Sequence, residues 1–187
     1  HIPEARKRIR RVKLHPVHAA PVQAALDAIR NADIILLGPG SLYTSIMPNL
    51  LVDGVAEALR ESKALKLYIC NVMTQPGETD GYTASMHVKA ILDHAGKGVV
   101  DYALVNSAKV PEKTARSYAA QGATPVIADS EALNGLGVGV ITADIVNEAD
   151  PGHHDSDKLT RQVMKLLDTL RSSEGAGRRL RSDTTLK

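Results

Sequence analysis

Short apolar runs, many of them β-branched, alternate with longer segments of helical periodicity along this chain of 187 residues. This alternation is typical of a βα-repeating fold, in which helices cover a largely parallel sheet. The run at 34–37 is apolar at every position, as expected of a strand that is buried on both faces. We therefore predict an α/β fold with a mostly parallel sheet. The predicted strands are 34–37, 66–72, 99–106, 126–128 and 138–146, and the predicted helices are 21–31, 49–62, 84–95, 111–121 and 156–170.

Composition and charge exclude several classes of protein. Hydrophobic residues make up 43% and charged residues 24% of the chain, which is ordinary for a globular domain. A net charge of +2 and the absence of Phe and Trp argue against a nucleic-acid partner. No apolar run reaches the roughly 18–20 residues of a membrane span, and the single Cys70 permits no internal disulfide. We expect a cytoplasmic protein with one domain over 1–171 and a disordered basic tail over 172–187.

The segment 38–48, GPGSLYTSIMP, follows one predicted strand and precedes a helix. Backbone N–H groups and a helix N-terminus can bind an anion in this position, and Gly38 and Gly40 permit positive φ and close approach of a ligand. Hydroxyl groups add donors for phosphate oxygens. The alternative is a tight turn in which the hydroxyls only cap the helix. The residues predicted to contact an anion are Gly38, Pro39, Gly40, Ser41, Thr44 and Ser45.

The segment 71–83, NVMTQPGETDGYT, follows the next predicted strand and is rich in polar side chains. Its side chains are suited to hydrogen bonds with a base, a ribose or a sugar, and two carboxylates, Glu78 and Asp80, suggest Mg²⁺ as an alternative. The third alternative is a loop whose own side chains form turns and cap the helix at 84. The residues predicted to bind ligand are Asn71, Thr74, Gln75, Gly77, Glu78 and Thr79.

Other motifs indicate a functional site less strongly. Adjacent histidines such as His153 and His154, placed before a helix, more often cap the helix or face solvent than bind a metal, so no metal site is predicted. Cys70 lies within an apolar strand and is interpreted as an inert core residue. No arrangement of serine, histidine and carboxylate can be assembled, so no catalytic residue is assigned.

Two long segments and two short ones add a family resemblance. They are LGPGSLYTSIMPNLLVDGVAEAL, YICNVMTQPGETDGYTASMHVKAIL, LVNSAKVPE and HHDSDKL. Together they resemble the bacterial gluconeogenesis-factor family (YvcK-like), within the CofD-like superfamily, over about residues 2–170. The resemblance implies a Rossmann-like fold with three αβα layers and with ligand at the carboxyl edge of the sheet.

The same resemblance implies a function. Members are cytoplasmic proteins that bind the nucleotide sugar UDP-N-acetylglucosamine and act in cell shape and peptidoglycan synthesis during growth on gluconeogenic carbon sources, without established catalysis. Some are substrates of Ser/Thr kinases, so a kinase is an expected partner. Members normally begin with a glycine-rich GGGTG turn and an acidic DDGGSSG stretch, and neither occurs in this sequence. The chain therefore resembles the C-terminal half of the family's sequence, and a homo-oligomer or another chain is expected to cover part of its sheet.

Three functional hypotheses remain open. The first is a regulatory protein in which 38–45 holds a diphosphate and 71–79 contacts the uridine, ribose or sugar. The second is a CofD-like transferase that moves a phosphate-activated metabolite of the 2-phospho-lactate type, with Mg²⁺ and with Glu78 or Asp80 as the base. The third is a non-catalytic assembly module. The wording of the two long motifs favours the regulatory protein.

Overall fold

The computed structural model describes residues 8–175 and contains four strands alternating with helices. The strands are β1 Ile34–Leu37, β2 Leu65–Ile69, β3 Tyr102–Asn106 and β4 Gly139–Ala143. The helices are α1 Gln23–Asn31, α2 Met47–Leu50, α3 Val55–Glu61, α4 Ala84–Ala95, α5 Glu112–Ala119, α6 Ser130–Gly135 and α7 Ser156–Gly175. A π-helical segment, Leu42–Ile46, runs directly into α2.

The four strands form one parallel sheet in the order β1-β2-β3-β4. Leu36 pairs with Leu67 across the first two strands, and Leu104 pairs with Ile141 across the last two. Because all strands run the same way, all four carboxyl ends lie at one edge of the sheet. The loops that follow the strands are therefore neighbours, which is where open α/β sheets bind ligands.

Apolar side chains cover both faces of the sheet, which confirms the predicted three-layer αβα fold. On one face, α2, α3, α4 and α6 pack against Tyr68, Cys70 and Ala103. On the other face, Val163 and Leu166 of α7 pack against the buried side chains of β2, β3 and β4. Cys70 is fully buried within the first core, as its apolar context predicts.

A third, smaller core lies at the carboxyl edge itself. Val72, Val110 and Val146, which follow β2, β3 and β4 respectively, pack together there with Met73. Ala115 and Tyr118 of α5 pack against this cluster. The third core therefore fixes α5 beside the ends of the strands.

The predicted strand at 126–128 is wrong. Pro125 forms only an isolated antiparallel bridge with Met73, and the Val126 N–H donates to the Val72 carbonyl at 2.9 Å. Proline has no N–H to donate to a ladder, and Ile127 is 66% exposed. The β-branched residues here thus line a connection that touches the loop after β2 without joining the sheet.

Two helical predictions also need correction. The single helix predicted over 49–62 is divided into α2 and α3, because Gly54 has φ +78°, in the left-handed region that ends regular helix. The short helix α6 was not predicted, since only Leu133 among its six residues is buried and no apolar stripe develops. By contrast, α4 has the predicted bounds.

The final helix begins as predicted and continues further. The N–H of Lys158 donates to Oδ1 of Asp155 at 2.8 Å, so Asp155 is the N-cap of α7. The helix continues to Gly175, so 172–175 of the predicted tail are helical. The remainder of that tail, 176–187, lies outside the described residues.

Each of the two edge strands, β1 and β4, pairs on one side only within residues 8–175. β1 pairs only with β2, and Leu36 of β1 is 43% exposed. An apolar side chain is therefore partly exposed at this edge, and whether another chain covers it stays a prediction. In the same part of the chain, no helix combines the length and the apolar character needed to cross a bilayer.

A buried histidine on α4 gives the fold a pH dependence. His87 is fully buried, its Nδ1 donates to the Thr83 carbonyl at 2.8 Å, and its Nε2 has no protein partner. The ring lies edge-on to Tyr82 with centroids 5.4 Å apart. Burial lowers the pKa of His87, since desolvation penalises the imidazolium, and the carbonyl of Thr83 and the charge of Asp129 oppose this only in part.

We predict that the free energy of unfolding falls as the pH is lowered below about 6.5, the pKa of an unfolded histidine. Below that pH the histidine is protonated in the unfolded chain, while the ring of His87 in the folded chain is still neutral. Above that pH the ring is neutral in both states. Urea unfolding at about pH 7 and about pH 5 measures the difference. His87→Gln should reduce it, whereas His15→Gln, at an exposed position, should not. An unchanged pH dependence in His87→Gln would contradict the assignment.

Candidate functional site

The turn after β1 requires glycine at its first position. Gly38 has φ +97°, and a Cβ there would lie 3.1 Å from the Ile69 carbonyl oxygen and 3.3 Å from Cδ1 of Ile46. Gly38 therefore allows the turn to pack directly on the end of β2. Gly40 does not adopt the positive φ that glycine permits, but its backbone lies close to Ser45, with an added Cβ only 3.2 Å from Cβ of that serine.

The loop after β2 is held by its own side chains. The N–H of Gln75 donates to Oγ1 of Thr79 at 2.8 Å, and the N–H of Gly77 donates to Oδ2 of Asp80 at 2.7 Å. Thr83 is the N-cap of α4 and accepts from the N–H of Met86. These contacts match the alternative in which the loop forms side-chain turns and caps the next helix.

Two contacts join this loop to the one after β1. Nε2 of Gln75 donates to Oγ of Ser41 at 2.7 Å. Oγ1 of Thr44 donates to Oε1 of Glu78 at 3.4 Å. The Ser41 oxygen accepts from Gln75, so its own hydrogen is free to donate elsewhere. The two loops therefore form one continuous wall of polar groups.

A cleft of about 530 Å³ lies between this wall and two later segments of the chain. The opposite wall comes from α5 and from the connection between β4 and α7. A volume of this size lies within the range of small-molecule sites. The lining residues are Pro39, Gly40, Ser41, Asn71, Met73, Thr74, Gln75, Pro76, Tyr118, Gln121, Ala123, Gly152, His153, His154, Ser156 and Leu159.

The predicted site residues divide into two groups of six. Those that line the cleft are Pro39, Gly40, Ser41, Asn71, Thr74 and Gln75. Those that do not are Gly38, Thr44, Ser45, Gly77, Glu78 and Thr79. Gly38 and Thr79 lie behind the cleft, where Thr79 is fully buried and holds the Gln75 amide. Thr44 and Glu78 contact each other beside it.

The opposite wall was missed by sequence reasoning. Tyr118 of α5 and Gln121, in the turn after that helix, line it together with His153 and His154. The sequence suggests a metal, a helix cap or exposure to solvent for the two histidines, and not a position in a binding cleft. The available signal was the rule that places ligands at the carboxyl ends of parallel strands, which applies equally to the segment after β4. Within residues 8–175, no three His, Cys, Asp or Glu side chains are grouped to hold a metal ion.

The two histidines differ in environment. Nε2 of His154 lies 3.0 Å from the Cys70 carbonyl and must donate to it, and burial lowers the pKa of His154. Nδ1 of His153 lies 2.8 Å from Oδ2 of Asp150 and 3.4 Å from the hydroxyl of Tyr118. Burial, and next the charge of Asp150, raises the pKa of Tyr118, so its phenol stays neutral. His154 is thus a structural contact, while His153 is open to solvent.

The N-terminus of α7 also faces the cleft, through Ser156. The first turn of a helix carries N–H groups without intrahelical partners and a partial positive charge. It lies across the cleft from the amides and hydroxyls of the first loop, and the carboxylate of its N-cap Asp155 already accepts from the N–H of Lys158. The arrangement can bind a phosphorylated small molecule by hydrogen bonds and helix polarity.

Comparisons with known proteins show the family of this chain. A family model described as 2-phospho-L-lactate transferase CofD matches residues 1–146. Proteins named gluconeogenesis factor are 50% identical over 165 residues in Halalkalibacterium halodurans and 48% identical over 167 residues in Bacillus subtilis. The matches cover 88% and 89% of this chain but 51% and 53% of those proteins, so the chain spans about half the length of these curated relatives.

A solved structure is similar as well. A Bacillus halodurans protein of the UPF0052 family superposes with a TM-score of 0.84 at 50% sequence identity. The superposition covers 87% of this chain and 53% of that one. Fold and sequence therefore agree over the same part of the chain.

We predict that Gly38→Ala lowers the free energy of unfolding by at least about 2 kcal/mol, because alanine is strained at this φ and its methyl group meets the Ile69 carbonyl. Urea unfolding measures the change. Gly135→Ala is the matched control, since a Cβ there meets nothing within 4 Å and φ is not positive. That variant should be unchanged or slightly more stable. Similar losses in both variants would contradict the role assigned to Gly38.

Proposed function

The chain belongs to the CofD family, and from that premise we propose that it is a regulatory protein whose cleft binds the nucleotide sugar UDP-N-acetylglucosamine. The observation that carries the proposal is the hydrogen bond between Gln75 and Ser41, which joins the two polar loops along one side of the cleft. The cleft of about 530 Å³ is large enough for a ligand of this class.

Each wall is assigned a part of the ligand. The diphosphate lies against Gly40 and Ser41, where the serine hydroxyl donates to a phosphate oxygen and the N-terminus of α7 faces the same charge. Asn71, Thr74 and Gln75 contact the uridine, the ribose or the sugar. Tyr118 on the opposite wall offers an aromatic surface and a neutral hydroxyl to the same ligand.

The cellular role follows from the proposed ligand. The name gluconeogenesis factor, carried by relatives of this chain, supports a role in growth on gluconeogenic carbon sources. A protein that senses a precursor of peptidoglycan would adjust wall synthesis and cell shape to that growth. We place this activity in the cytoplasm and expect it to act through binding rather than catalysis.

Calorimetric titration tests the ligand. UDP-N-acetylglucosamine should give saturable heat with this chain, and Ser41→Ala should weaken binding about tenfold or more, the usual effect of losing one hydrogen bond to a charged group. Ser172→Ala, on the exposed surface of α7, is the matched control and should bind as the unmodified chain does. Absence of saturable heat, both here and with a full-length relative, would overturn the proposal.

A transferase is the second candidate, because the matching family model is described as one. The residues considered for Mg²⁺ do not form a site for it: Asp80 accepts from Gly77, Glu78 accepts from Thr44, and neither carboxylate lines the cleft. No metal-dependent step is therefore derived for this chain.

Phosphorus NMR separates the two candidates. A nucleotide-activated phospholactate incubated with the protein, an acceptor alcohol and Mg²⁺ should give an unchanged spectrum if the protein only binds ligand. New phosphodiester and nucleotide signals that depend on protein concentration would instead establish the transferase.

A further inference from the structure

The cleft has no permanent cation among the described residues that line it. Its lining contains no Lys, Arg, Asp or Glu, so the side chains that can become positively charged near neutral pH are His153 and His154. A diphosphate diester carries two negative charges. Amides, hydroxyls and the end of one helix can solvate that charge, but an imidazolium would add a charge-assisted hydrogen bond.

His154 already makes a hydrogen bond that holds two parts of the fold together. Its Nε2 donates to the carbonyl of Cys70, which ties the start of α7 to the end of β2. Burial lowers the pKa of His154, so the ring is held in its neutral form. Protonation of this ring is therefore opposed by its surroundings.

His153 is in the opposite situation. Its side chain is 70% exposed, so a charged ring keeps most of its hydration. A carboxylate can only accept, so Nδ1 carries the hydrogen shared with Asp150. This contact orients the ring and leaves Nε2 as the nitrogen available to a ligand.

The charged groups around His153 come from three elements. Asp150 lies on the same loop, Tyr118 faces the ring from α5 with a neutral phenol, and His154 follows in sequence with a neutral ring. Lys158 of α7 pairs with Asp144 at 3.0 Å and with Glu148 at 3.5 Å. Lys158 in the first turn of α7 is thus paired with other carboxylates, and His153 is the histidine of this wall whose ring is exposed.

We propose that His153, positioned by Asp150, is the switchable cation of the cleft, and that its protonation strengthens the binding of a nucleoside diphosphate sugar at mildly acidic pH. The inference rests on the proposed function, because it concerns the same ligand in the same cleft. Binding of the anion then favours the imidazolium, so a proton is taken up when the complex forms.

The probe is UDP-N-acetylglucosamine, whose diphosphate diester does not titrate between about pH 6 and about pH 8, so that any pH dependence belongs to the protein. Calorimetry at these two pH values should show affinity about tenfold higher at the lower one, the usual effect of a charged hydrogen bond. Titration in buffers with different enthalpies of ionisation should show net proton uptake on binding.

Three variants isolate the two residues. His153→Gln should bind at both pH values with the affinity that the unmodified chain has at about pH 8, and His153→Arg should bind more tightly at both. Asp150→Asn should reduce the pH dependence without abolishing binding. The matched control is His18→Gln, because His18 also lies beside a carboxylate, 3.3 Å from Asp53, but outside the cleft.

The outcomes separate this inference from the proposed function. Equal affinity at the two pH values, or pH dependence that persists in His153→Gln, would overturn the role of His153 while ligand binding stands. The same loss of affinity in His153→Gln at both pH values would also overturn it, because a neutral contact would then explain the effect. No binding at either pH would remove both claims.

Discussion

The close packing of Gly38 on the carbonyl oxygen of Ile69 is the constraint on which the site depends. It places the turn after β1 directly on the end of β2, with no side chain between them. The parallel register of the two strands brings their following loops to the same edge, and this contact sets their separation. Ser41 then lies within hydrogen-bonding distance of Gln75, and the two loops form a single wall.

Local patterns predicted much of the fold. The helix α4 and the βα alternation are predictable because each depends on residues close together in the sequence. The strand prediction at 126–128 is wrong because three β-branched or small residues fit a strand locally. Whether a ladder of hydrogen bonds forms depends instead on the missing N–H of Pro125 and on the path of the chain. The positive φ of Gly54 divides a helix that the apolar periodicity alone predicts to be continuous.

The candidate site was predictable on one side only. The loops after β1 and β2 could be paired in advance, because parallel strands that are consecutive in the chain place such loops together. The positions of Tyr118 and His153 depend instead on how α5 packs over the third core and on the long connection after β4. Neither is encoded in a short motif. Whether the predicted residues bind ligand stays a prediction.

The helix α7 both borders the cleft and covers one face of the sheet. Its first turn borders the cleft, and its later turns supply the apolar layer over β2, β3 and β4. A ligand that binds only the folded state stabilises that state by an amount that rises with the ratio of ligand concentration to dissociation constant. Because the occupied end and the packed stripe belong to the same helix, filling the cleft would slow amide exchange along the far face of the sheet, well away from the bound molecule.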